Sequence, residues 1–82
     1  MYRLTTDEQS SAQIAALPAE ALALYAEIVG VLQLVPWHGK PYAETKPDGP
    51  MRYLLFGNQS MVVYMILEDQ LRVDILKVMW ID

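Results

Sequence analysis

The side chains able to do chemistry gather in one short stretch, Pro36 to Tyr42, which reads PWHGKPY. It holds the chain's one histidine together with a tryptophan, a lysine and a tyrosine. An unperturbed histidine titrates near neutrality, so His38 suits a general base. Lys40 supplies a positive charge beside it, and Trp37 and Tyr42 offer rings on which a nucleobase can stack. The other cations are few: Arg3, Lys46, Arg52, Arg72 and Lys77 complete the set. Arg52 is a candidate to hold a phosphate or a partner's carboxylate. Each residue also has a plainer reading. Loop aromatics plug the end of a small core, loop lysines are solvated, and Arg52 pairs with Asp74 or Glu44.

Composition narrows the chemistry. The chain has 82 residues, 54% of them hydrophobic, which is enough for one small core and one domain spanning residues 1–82. It has no cysteine and a single histidine, so no disulfide, thiolate nucleophile, metal site or cofactor is expected. The net charge of −4 argues against a broadly basic nucleic-acid-binding surface, although residues 40–52 are locally positive. The polar start MYRLTTDEQS has no signal-peptide core, and no apolar run is long enough to span a bilayer. A soluble, cytoplasmic protein without membrane contact is expected.

The elements that must position these residues follow from patterning. Tyr2-Arg3-Leu4 alternates as a short edge strand. Thr5 with Glu8 three residues on reads as a capping box that opens a short helix through Leu17. Pro18 then starts a second helix over Ala19 to about Leu34, with Leu22, Tyr25, Ala26, Val29 and Leu32 on its apolar face. Residues 36–50 contain four of the five prolines and read as a loop that cannot hold a ladder. Met51–Phe56, Met61–Leu67 and Leu71–Ile81 read as three strands joined by hairpin turns. The last of them, counted in steps of two, puts Leu76, Val78 and Trp80 on the same face as Arg72 and Asp74. The expected fold is α+β: a short N-terminal strand and a helical hairpin packed on one face of a three- to four-stranded antiparallel sheet (β-α-α-β-β-β).

That order, with several local runs, resembles the RelE/ParE superfamily of type II toxins. The runs are Tyr2-Arg3-Leu4-Thr5, Ala15-Ala16-Leu17-Pro18, Met51-Arg52-Tyr53-Leu54, the turn and strand Gly57 to Tyr64, and Arg72 to Val78. The resemblance implies a toxin restrained by a cognate antitoxin protein. In RelE-like members it implies an endoribonuclease cutting messenger RNA on the ribosome; in ParE-like members it implies DNA gyrase as target. Carried over residue by residue, it assigns catalysis to Arg52 and Lys77, with His38 and Lys40 of the loop as substitute groups. In such a reaction the 2′-hydroxyl attacks phosphorus and fixed positive charge stabilises the phosphorane. Two positions depart from the pattern: Met61 stands where an arginine is expected, and Trp80 where a terminal histidine or arginine is expected.

Those departures keep a second reading open, in which a non-catalytic chain of this fold binds a protein partner, either an antitoxin or gyrase. Trp80 would then be an anchor on the open sheet face, beside Arg72 and a soft patch of Met61, Met65 and Met79. A third reading, a homodimer, rests on the apolar end of the last strand.

Overall fold

The computed structural model describes residues 1–81. The chain opens with strand β1 (Arg3–Thr6) and turns at Asp7 into helix α1 (Glu8–Ala15). The capping box expected at Thr5 and Glu8 lies two residues later, because both threonines belong to the strand. The Asp7 carboxylate accepts the Ser10 N–H at 2.7 Å, and the Ser10 hydroxyl accepts the Asp7 N–H at 3.0 Å. The Ser10 N–H, and after it the Ser10 hydroxyl that donates to the same carboxylate at 2.8 Å, hold the Asp7 carboxyl below the usual carboxylate range. Ser10 is fully buried and fully partnered.

Helix α2 (Ala19–Leu34) begins after Pro18, as the sequence predicts. Ala21, Tyr25 and Leu32 are buried, with Leu24, Ile28 and Val29 packed against them. The buried stripe is narrower than the periodicity implies: Leu22 is 43% exposed and lies outside the core. At roughly 1.5 Å per residue a 16-residue helix is about 24 Å long, enough to cross a five-stranded sheet about 19 Å wide. The helices thus carry the chain from one sheet edge to the other.

The sheet has five strands, not three or four, in the order β1-β5-β4-β3-β2. Strands β3 (Met51–Phe56), β4 (Ser60–Leu67) and β5 (Arg72–Met79) form the expected antiparallel meander. Two pairings correct the sequence reading. Strand β1 pairs with β5 in parallel, Leu4 opposite Val73, so the sheet is mixed. Strand β2 (Lys40–Pro41) forms inside the proline-rich loop, opposite Tyr53 and Arg52. A proline is tolerated there because the strand is an edge.

A β-bulge in β5 decides what each face carries. Tyr64 pairs with Ile75, but its neighbour Val63 pairs with Lys77, leaving Leu76 as the extra residue. The step-of-two parity therefore reverses at Leu76. Val78 is buried with Val73 and Ile75 beneath the helices, and Trp80 packs against that same core, 6.0 Å from the Phe56 ring. The expectation that Val78 and Trp80 share the face of Arg72 and Asp74 is thus wrong. Lys77 and Met79 take that place. Gln13 of α1 accepts the Val78 N–H at 2.7 Å, satisfying the β5 edge beyond the end of β1.

Candidate functional site

The loop that follows α2 is ordered by its own hydrogen bonds. Pro36–His38 forms a 3-10 turn, and the buried Pro36 carbonyl accepts the Tyr64 hydroxyl at 2.6 Å. Burial pushes that hydroxyl up to about 12, so it stays a neutral donor at working pH. Gly39 passes so close that a Cβ there would lie 1.9 Å from the Tyr64 oxygen. Trp37 and Tyr42 do not plug the core edge. Trp37 is 40% exposed and donates its indole N–H to Glu68 at 2.6 Å, while Tyr42 meets Tyr53 edge-on at 6.4 Å. Glu68 also accepts the Tyr2 hydroxyl at 2.6 Å. These two bonds, Tyr2 first, hold the Glu68 carboxyl below its usual range.

Arg52 is the hydrogen-bonding centre of this loop. It pairs with neither Asp74 nor Glu44. Its guanidinium donates to the carbonyls of Gly39 at 2.9 Å, Pro47 at 3.0 Å and Gly49 at 3.1 Å, with a longer contact to Trp37 O at 3.4 Å. It also lies 4.9 Å over the Trp37 ring. The planar fork thus ties two stretches of the loop together, residues 37–39 and 47–49. By register Arg52 sits with Tyr64 on the helix-covered side of the sheet.

The other face of the sheet is open. Read across the register, its rows are Met51–Met65–Asp74–Thr5, Lys40–Tyr53–Val63–Lys77, Leu55–Met61–Met79 and Leu67–Arg72–Arg3. Lys40 and Lys77 thus close the two ends of one row, about 14 Å apart at three strand spacings. Asp74 is held by Arg72, 2.9 Å away, and by the Thr5 hydroxyl. The Thr5 bond, then Arg72, keeps its carboxyl below the usual range.

The structure therefore separates the four predicted catalytic residues. Arg52 lies under the loop, and His38 lies exposed on the 3-10 turn that runs into it. Lys40 and Lys77 stand on the open face. Of the three predicted partner contacts, Met61 and Arg72 lie on the open face and Trp80 does not. Trp80 instead walls a cavity of about 450 Å³ at the other side, with Glu20, Leu24, Gly57, Asn58 and Ile81. A second hollow, of about 270 Å³, opens where the loop meets the open face at Met51 and Met65. Sequence reasoning missed this one, since it depends on the loop's path. No cluster of metal-ligating side chains occurs among the described residues, and no helix among them is long and apolar enough to cross a membrane.

No protein-family model and no curated protein matches the sequence. Solved structures do match. A chain of the intact E. coli RelBE toxin–antitoxin complex superposes with a TM-score of 0.80 at 14% identity, covering 100% of this chain and 99% of that one. The isolated E. coli RelE toxin superposes with a TM-score of 0.77 at 16% identity, covering 100% and 86%. Likeness at such low identity speaks to architecture alone, and it extends over the whole of this chain: the chain has a RelE-like fold.

Proposed function

We propose that this chain is the toxin-like member of a toxin–antitoxin pair, and that it works by binding protein through the open face of its sheet rather than by cutting RNA. The fold it shares with RelE, one match coming from a toxin–antitoxin complex, supports the first part. The chemistry of the open face carries the second. Cleavage by a neighbouring 2′-hydroxyl needs a base and converging positive charge around one phosphate. The centre of the open face instead bears Met51, Met61, Met65, Met79, Tyr53 and Leu55. Its one carboxylate, Asp74, is already bound by Arg72 and Thr5. Arg52, one of the two residues that the resemblance makes catalytic, is engaged by loop carbonyls on the opposite side. A fold can persist where its chemistry does not.

The test combines purification with a translating extract. A tagged chain taken from its native host should bring down a small protein encoded beside it, and the purified chain should leave messenger RNA intact on translating ribosomes. Cleavage of that RNA, abolished by Lys77→Ala, would overturn the non-nucleolytic reading.

A further inference from the structure

The charges of this molecule are sorted by layer. Neither helix contains a lysine or arginine, while Glu8, Glu20 and Glu27 stand on them. Four of the six cations, Arg3, Lys40, Arg72 and Lys77, lie on the open face against the single carboxylate of Asp74. That face is net positive on a chain whose formal charge is −4. Its cations stand at the margins, and an apolar strip lies between them.

The strip does not stop at the sheet. Beside Met51 and Met65 it runs into the hollow of about 270 Å³, completed by Ala43, Lys46, Gly49 and Pro50. Small-molecule sites occupy roughly 300–1,000 Å³, so this hollow fits one large side chain better than a whole ligand. Its walls are alkyl and thioether groups, and the exposed Lys46 is its one cation. Interfaces are held by such sockets, each filled by an aliphatic or aromatic anchor and surrounded by a charged rim.

We infer that the open face receives an acidic, amphipathic segment of a protein partner, with one large apolar side chain in the hollow beside Lys46 and carboxylates on Lys40, Lys46 and Lys77. This rests on the protein-binding reading and adds to it the chemistry of the partner. Methionines adapt to a packed segment at low cost. The acidic helix layer repels the same segment, so docking is directed to one face. A nucleic acid fits less well. Its phosphates need cations along the whole track, and here the centre of the track is apolar. Tyr53 faces this side, and its ring already packs edge-on against that of Tyr42.

The methionine methyl groups report the event directly by NMR, with the exposed Met1 as an internal control. Three probes are needed: a synthetic amphipathic peptide of Leu, Trp, Glu and Asp; the same peptide with lysine in place of its acids; and an oligouridylate. The acidic peptide should shift Met51, Met61, Met65 and Met79 and leave Met1 unmoved. Ala43→Phe, which fills the hollow from an exposed loop position, should weaken that binding about tenfold, the effect of losing one anchor, at unchanged melting temperature. Lys40→Glu with Lys77→Glu should transfer preference to the lysine peptide. Three results would overturn the inference: equal response to both peptides, response to the oligouridylate alone, or methyl shifts that grow with protein concentration without any probe. The last would make a second copy the occupant. If the native partner co-purifies equally with wild type, Ala43→Phe and the double charge swap, this inference falls while the protein-binding reading stands. If no partner co-purifies with wild type and RNA is cut, that reading falls as well.

Discussion

The two faces of the sheet are built from similar side chains and end in different states. Under the helices, Val62, Tyr64, Ile66, Val73 and Ile75 are each no more than 2% exposed. On the other side Met61, Met65 and Met79 alternate with them along the same strands and are only partly buried, although Val63 between them is 4% exposed. The arginine on the covered side is bound by carbonyls, whereas the lysines on the open side point at solvent. One face has its packing partner within the chain. The other has the composition of an interface whose partner lies outside it.

The comparison predicts that substitutions on the covered side act on folding. The largest effect belongs to Gly39→Ala, whose Cβ would sit 1.9 Å from the Tyr64 oxygen and 3.0 Å from the Tyr53 carbonyl. Overpacking of this kind should lower unfolding free energy by about 3 kcal/mol in a denaturant titration. Adding Tyr64→Phe removes the closest clash, so the double variant should be more stable than the sum of the two single losses. Strict additivity would mean that the loop does not press on Tyr64.

Next comes a pair of cations. Arg52→Ala should cost about 2 kcal/mol, because one guanidinium satisfies several loop carbonyls, and Arg52→Lys should not restore it. Lys77→Ala, on the open face, should change stability by less than about 0.5 kcal/mol. Equal stability effects at the two positions, measured by thermal or denaturant unfolding, would erase the distinction between the faces.

The distinction itself was only partly legible in the sequence. Helix α2 and the three meander strands carry strong local signals, apolar periodicity between proline breaks and β-rich runs between short turns, and they appear where expected. The bulge at Leu76 has no such signal. It arises because two residues of β5 face one of β4, and no count along a single strand reveals that. One uncounted residue was enough to put Val78 and Trp80 on the wrong face. The parallel β1–β5 pair joins the two ends of the sequence, and β2 is two residues long and half proline. Both are fixed by tertiary packing. Arg52 was legible as important, but its target was not, since backbone carbonyls leave no mark in a sequence.

Acid should loosen the loop before it affects the sheet core. Glu68, bonded to Tyr2 and Trp37, has its pKa depressed in the folded state. Its contribution is therefore present above the unfolded value, ordinarily about 4.3, and is lost as pH falls through the lower folded value. In a Trp80→Phe background, Trp37 fluorescence should stay constant down through mild acid and change only below that range. Glu68→Gln should remove the step. A step at neutral pH would place control of Trp37 elsewhere.

The smallest effect is the sharpest test of openness. Leu55 lies on the open face in the row of Met61 and Met79 and is 55% exposed. If no segment of the chain covers that face, Leu55→Lys removes little buried surface and breaks no hydrogen bond, so stability should move by less than about 0.5 kcal/mol. A covered leucine replaced by lysine would instead bury a charge without a partner, at several times that cost. Unfolding curves for Leu55→Lys and Val62→Lys, the latter 0% exposed beneath the helices, should therefore differ widely. Near-equal curves would mean that the folded chain in solution covers its second face too, and the binding surface would have to be sought at the loop and edges instead.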